Sequence, residues 1–360
     1  MHTFTTSLPG AGTAEVTASD STHAQIASGS EAVSVISNLT AALGLPAFDL
    51  SGQPAGVVGQ PLPFTFQASQ TGVPTTTAFT YKIDWKGNGS VVQTFTGASG
   101  RSENYVYTAP GTYLARMTVL DAAGDVLKTV MQSITIAAVA LEADPENNAD
   151  TALVIGAPAS GGAIVISPAA SSTSVAVSIN GVTVSGGPFS PSGHILVYGQ
   201  SGADIIKVVA SQTVSVAVPA IIFGGNGTNT LSVAGSSANN ILVGGPGADT
   251  LSGGTGSDIL IGGAGADSLH GGSGSGLLIA GTTSYDTNLT ALLAVLAEWS
   301  RIDRIYVQRV QDLFGNGAGG LNGTYLLDTQ RDEAACRGLV GDLWRRLATS
   351  WRQICRVRSW

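Results

Sequence analysis

From Gly244 to Ile279 the chain reads GGPGADTLS, GGTGSDILI, GGAGADSLH and GGSGSGLLI, four versions of one nine-residue phrase. Each version opens with two glycines and places a third at position four. The first three put an aspartate at position six: Asp249, Asp258 and Asp267. Glycine permits positive φ and close backbone approach, so such a turn can aim its carbonyl oxygens inward. A carboxylate added at fixed spacing completes an all-oxygen donor set. That chemistry suits a hard cation taking six to eight oxygen ligands, calcium more than magnesium.

The phrase extends upstream, with GQSGADIIK from Gly199, GGNGTNTLS from Gly224 and GSSANNILV from Gly235. From Gly235 the period is strictly nine. Position eight is always apolar: Ile206, Leu231, Leu242, Leu251, Leu260, Leu269 and Leu278. On these residues, GGxGxD followed by an apolar triplet, the segment resembles the RTX (repeats-in-toxin) calcium-binding repeats. The resemblance implies a right-handed parallel β-roll, a solenoid with calcium held between stacked loops and the position-eight side chains as its inner ladder.

A roll with two strands per turn stacks every second repeat. Positions seven and nine then alternate without exception: Ile221/Phe223, Thr230/Ser232, Ile241/Val243, Thr250/Ser252, Ile259/Ile261, Ser268/His270, Leu277/Ile279. One sheet is expected to show an apolar outer face that needs a cover. The other is expected to be polar, with His270 solvated. One loop edge stacks Asn229, Asp249 and Asp267; the other stacks Asn240, Asp258 and Gly276. The tightest calcium site is expected at Asp249 with Asp267, with one to three weaker sites using Asp258, Asn240, Asn229 and Asp204. Backbone around Gly245, Gly247, Gly254, Gly256, Gly263 and Gly265 would complete them. The competing reading is plain Gly-Asp turns without metal, since aspartate favours turns on its own account.

The elements that must position these loops read as all-β. Gly is 48 of 360 residues and charged residues only 11%, with a hydrophobic share of 43%. Residues 1–46 read as partial immunoglobulin-like strands, the end of a module that begins further upstream, so the chain is expected to be a piece of a longer protein. Residues 47–138 read as a complete β-sandwich, with strands PFTFQAS, FTYKIDW, NYVYTA, TYLARMTVLDA and LKTVMQSITI between turn signals. Pro110-Gly111 predicts a type II turn. IDWKGNGS and YVYTAPGTYLARMTV are similar to motifs of the polycystic-kidney-disease (PKD) family. That resemblance implies a non-catalytic spacer or interaction module, with Asp84 and Trp85 in a strand-turn. Lys86 and Asn88 argue against a cation at that loop. Residues 139–281 read as the solenoid, with its repeat core at 199–281, and Asn180-Gly181 predicts a hairpin.

After residue 281 the period changes to helical. Leu289, Leu292, Leu293, Val295, Leu296 and Trp299 form a stripe, with Asp286 or Asn288 as N-cap. A second helix is predicted over Ile302–Phe314. The segment 282–328 reads as a helical cap over the apolar sheet. Residues 329–360 are foreign in composition, with seven of the twelve Arg and both cysteines, and read as a frameshifted stretch or a basic tail. The tail has no histidine to make a zinc site with Cys336 and Cys355.

Catalytic signatures are missing: no HExxH, GxSxG or P-loop is present, and GNGAGG (315–320) follows a helix instead of a strand. A net charge of −8 with four Lys excludes a nucleic-acid footprint. No apolar run reaches a membrane-spanning length, and MHTFTTSLPG lacks the parts of a secretion signal. The expectation is a non-enzymatic extracellular or cell-surface protein that binds calcium and an unidentified protein or carbohydrate. The alternative is an accessory C-terminal region of a secreted hydrolase whose catalytic domain lies upstream.

Overall fold

The computed structural model describes residues 11–19, 25–34, 47–70, 72–315, 317 and 319–327. The basic tail with its two cysteines, and His2 and His23, lie outside the described residues. Two compact units form. Of the described residues, one takes those up to 52, 63–103 and 114–133; the other takes 53–62, 104–113 and those from 134 to 327.

Two antiparallel strands, β1 (Ala11–Ser19) and β2 (Gln25–Ser34), make a sheet of their own. Eight strands follow: β3 (Phe48–Gly52), β4 (Ala55–Val57), β5 (Pro61–Ala68), β6 (Phe79–Asp84), β7 (Gln93–Gly97), β8 (Arg101–Val106), β9 (Gly111–Leu120) and β10 (Val126–Ala137). They form sheets in the orders β3-β5-β8 and β4-β10-β9-β6-β7. Alternation in β5 turns Phe64 and Phe66 inward, where Phe64 meets Trp85 at 4.7 Å and Phe66 meets Tyr81 at 5.9 Å between ring centroids. The expected type II turn at Pro110-Gly111 does not form. Gly111 opens β9 with φ of 152°, away from the roughly +80° that turn requires. The Tyr113 hydroxyl instead donates to the Ala109 carbonyl at 2.8 Å.

Asp84 ends β6 and organises the turn after it. Its Oδ1 accepts from the Lys86 and Gly87 amides at 3.2 and 2.8 Å, and its Oδ2 from Gly89 at 2.7 Å. Burial raises its pKa, but the backbone donors outweigh burial and hold it below the ordinary value. A depressed folded pKa stabilises above the unfolded value and loses that contribution as pH falls through the folded one. Asp84→Asn should therefore flatten the acid limb of stability. Urea melts of wild type and variant from pH 5 to 2.5 should converge at the acid end, and parallel curves would contradict this role.

The second unit carries the repeats. Its strands are β11 (Val139–Ala143), β12 (Thr151–Gly156), β13 (Ala163–Pro168), β14 (Val175–Ile179), β15 (Val182–Thr183), β16 (Ile195–Tyr198), β17 (Ile205–Val208), β18 (Ala220–Phe223), β19 (Thr230–Ser232), β20 (Ile241–Pro246), β21 (Thr250–Ser252), β22 (Asp258–Ala264), β23 (Ser268–His270) and β24 (Gly276–Ile279). Two seven-stranded sheets result, β11-β12-β16-β18-β20-β22-β24 and β15-β14-β13-β17-β19-β21-β23. From β16 on, successive strands alternate between the sheets and pair in parallel with the strand two further along, Leu242 opposite Leu260 and Leu251 opposite Leu269. Position-eight side chains from both sheets share one buried cluster with Leu153, Ile164 and Val177. Asn180 at φ 51° and Gly181 at φ 79° make the tight turn between β14 and β15. Two positive φ values in succession define the type I′ hairpin turn.

The outer faces differ as their residues dictate. Ile221, Ile241, Ile259, Ile261, Leu277 and Ile279 are all buried on the first sheet. They pack with Leu292, Val295, Leu296 and Trp299 of α1 (Leu289–Trp299), and with Leu313 of α2 (Tyr306–Leu313). Each such aliphatic side chain contributes about 1.5–3 kcal/mol when withdrawn from water. Thr250, Ser268 and His270 on the other sheet stay exposed. Asn288 caps α1, accepting the Ala291 amide at 3.1 Å. The second helix starts later than its apolar pattern predicts. Arg301 pairs with Asp303 at 2.6 Å, an i,i+2 contact that a helix does not allow, and α2 begins only at Tyr306.

Candidate metal centre

Position six of each repeat lies where its loop meets the strand, just before it in most repeats and as its first residue at Asp258 and Gly276. On one edge these residues form a chain of hydrogen bonds running from repeat to repeat. Asp204 Oδ1 accepts the Gly162 amide at 2.8 Å, and Asn229 Oδ1 accepts the Asp204 amide at 3.0 Å. Asp249 Oδ1 accepts the Asn229 amide at 2.7 Å, and Asp267 Oδ1 accepts the Asp249 amide at 2.9 Å. The other edge repeats the pattern. Asn240 Oδ1 accepts from Ala220 at 3.0 Å, and Asp258 Oδ1 from Asn240 at 2.9 Å. Gly276 has no side chain to continue it, and the Asp258 amide donates to the Ser275 carbonyl instead.

The second side-chain atom divides these residues. Asp204 Oδ2 accepts from the Gln200 amide at 3.3 Å, and Asp258 Oδ2 from the Gly254 amide at 2.7 Å. Asp249 Oδ2 and Asp267 Oδ2 are buried with no hydrogen-bond partner. Burial raises the Asp249 pKa; the Asn229 amide opposes the rise and the Asp267 charge adds to it. Burial likewise raises Asp258, against the donors of Asn240 and Gly254. A buried carboxylate oxygen without a donor is costly, and a bound cation removes that cost.

The glycines make room beside these oxygens. Gly245 and Gly247 have φ of 104° and 140°, and Gly263 and Gly265 have 95° and 146°. The same freedom is not used at Gly254 and Gly256, whose φ is not positive. There the reason is proximity: a Cβ on Gly254 would lie 2.5 Å from the Ser236 carbonyl oxygen. Position one matters as much. A Cβ on Gly244 would lie 2.5 Å from Asp249 Oδ2, and one on Gly262 at 2.5 Å from Asp267 Oδ2. Its signal is that position one alone is glycine in all seven repeats. Thus the two orphaned oxygens each border a cradle that any side chain would fill. Those features fit a cation bound by oxygen donors. No cluster of three or more His, Cys, Asp or Glu side chains exists among the described residues. A centre here would therefore draw most of its ligands from backbone carbonyls.

One family model agrees with this chemistry. The family model for the RTX calcium-binding nonapeptide repeat (4 copies) matches residues 234–269 and 243–278. That for the PKD domain matches residues 47–133. The chain thus carries RTX calcium-binding nonapeptide repeats behind a PKD domain. Two solved structures are similar over about a quarter of the chain. One is the PKD domain of an M14-like peptidase from Thermoplasmatales archaeon SCGC AB-540-F20, at 20% identity and TM-score 0.21, covering 25% of this chain and 94% of that one. The other is the CARDB domain of the PF1109 protein from Pyrococcus furiosus, at 16% identity and TM-score 0.20, covering 26% and 94%. No curated protein matches the chain in sequence. Among the described residues no helix is long and apolar enough to cross a membrane.

Proposed function

We propose that this chain is a non-catalytic, extracellular or cell-surface segment whose repeats form a calcium-loaded β-roll. The supporting observation is the pair of buried, partnerless oxygens on Asp249 and Asp267, stacked on one edge in alternate repeats. Calcium bound there would neutralise the two carboxylates and take carbonyl oxygens from the neighbouring glycine loops. The residues themselves hold the loops in register through the Oδ1 hydrogen bonds, which leave Oδ2 available. Binding to the folded state alone stabilises by mass action, so the roll would respond to external calcium. The sandwich of residues 47–138 would space or present the roll to a protein or carbohydrate partner.

Thermal melts of the full chain test this reading. After chelation, calcium should raise the melting temperature of the second unit, and magnesium at equal concentration should do so far less. Asp249→Asn with Asp267→Asn should remove most of the calcium-induced rise. A melting temperature indifferent to calcium would reduce the aspartates to turn formers.

A further inference from the structure

The two asparagines at position six do something the aspartates cannot. The Asn229 Oδ1 must face the Asp204 amide, which fixes the orientation of the side chain and points Nδ2 the other way. There Nδ2 lies 3.4 Å from Gly225 O, 3.4 Å from Gly227 O and 3.5 Å from Gly244 O. These are the carbonyls of positions two and four of its own repeat and position one of the next repeat on that edge. An N–H group with partial positive charge thus sits among three inward carbonyl oxygens. In the next repeat on that edge Asp249 puts an anionic oxygen at the matching atom.

Asn240 shows the same substitution on the opposite edge. Its Oδ1 accepts from Ala220, and its Nδ2 donates to Ala238 O at 2.7 Å and to Asp258 Oδ1 at 2.7 Å. With the Gly254 amide, that donor leaves both Asp258 oxygens satisfied by protein atoms. Asp204 is satisfied in the same way by Gly162 and Gln200. Only the edge bearing Asp249 and Asp267 keeps unpartnered position-six oxygens.

We infer that the Asn229 and Asn240 side-chain amides replace the cation in their loops, so that the repeats before Gly244 fold without calcium and template a calcium-dependent edge at Asp249 and Asp267. This rests on the calcium reading above and adds where it applies. The chain would behave as a folded, metal-independent base with a metal-controlled end. Chelation would loosen that end and leave the base intact.

Amide hydrogen exchange of the full chain in calcium and in chelator tests this, with N229D alongside. In wild type, amides of 195–232 should keep their protection in chelator, while those of 245–252 and 263–270 should lose it. N229D places a carboxylate among the three carbonyls without changing shape. It should extend the loss to 225–232 in chelator, restore protection with calcium, and bind one more calcium by native mass spectrometry. Loss of protection along the whole stack in chelator would overturn the inference and leave calcium binding standing. Protection at 225–232 unchanged in N229D under chelation would also overturn it. Indifference of 245–270 to calcium would overturn both it and the calcium reading.

Discussion

Trp299→Ala is expected to destabilise the second unit by about 4 kcal/mol, the usual scale for truncating a buried tryptophan. For a unit of this size that is a fall in melting temperature on the order of 10 °C. Trp299 is 3% exposed at the end of α1 and belongs to the cluster over the apolar sheet face. Its Nε1 donates to the Ser275 carbonyl at 3.0 Å, anchoring the helix to the last loop of the stack. The Arg309 guanidinium lies 4.9 Å from its ring centroid and ties α2 to α1. Truncation removes ring burial, the anchor and the cation–π contact together, and leaves a cavity in the cluster beneath the helices. Trp299→Phe keeps most of the apolar area and should cost less than half as much. Circular dichroism melts at fixed calcium would compare the three proteins. An alanine variant within about 1 kcal/mol of wild type, well under the scale for a buried ring, would mean that α1 does not cover the sheet in solution.

The second large effect is expected at Gly265. Its φ of 146° is unfavourable for any side chain, and a Cβ there would overlap the Gly247 carbonyl oxygen of the loop stacked beneath it. The strain alone costs on the order of 1–3 kcal/mol. Relieving the overlap requires moving a backbone carbonyl that faces the Asp249–Asp267 edge. Gly265→Ala should therefore lose about 3 kcal/mol or more, toward the upper end of point-substitution effects, and weaken the response to calcium. Gly186→Ala separates the two causes, because Gly186 has φ of 88° with nothing within 4 Å of an added Cβ. It should show the strain without the loss of calcium response. Equal destabilisation by the two variants in denaturant melts would indicate loops that do not stack at contact distance.

Much of this architecture is carried by local alternation. Positions seven, eight and nine of each repeat alternate between inside and outside because strand side chains do so by covalent geometry. The inner ladder, the apolar and polar outer faces and the Asn180-Gly181 turn follow from that rule read along the chain. The helical stripe from Leu289 to Trp299 is legible for the same reason at a different period.

What the sequence could not decide depends on atoms brought close from far along the chain. Asn229, Asp249 and Asp267 read alike at position six, yet one is satisfied among carbonyls and two keep an orphaned oxygen. That difference comes from what surrounds the second side-chain atom: the Asn229 Nδ2 lies among the Gly225, Gly227 and Gly244 carbonyls, whereas no donor reaches Oδ2 of Asp249 or Asp267. Position-one glycines read as turn residues, whereas packing gives them a place beside Asp249 and Asp267. Gly254 needs its missing side chain for proximity instead of φ, because the Ser236 carbonyl approaches it from another repeat. Pro110-Gly111 carries a type II signal, but pairing draws Gly111 into β9. Periodicity is a property of the chain itself, so the sequence alone determined the strands and their faces. Satisfaction of buried oxygens is a property of neighbours, and only the tertiary structure decided it.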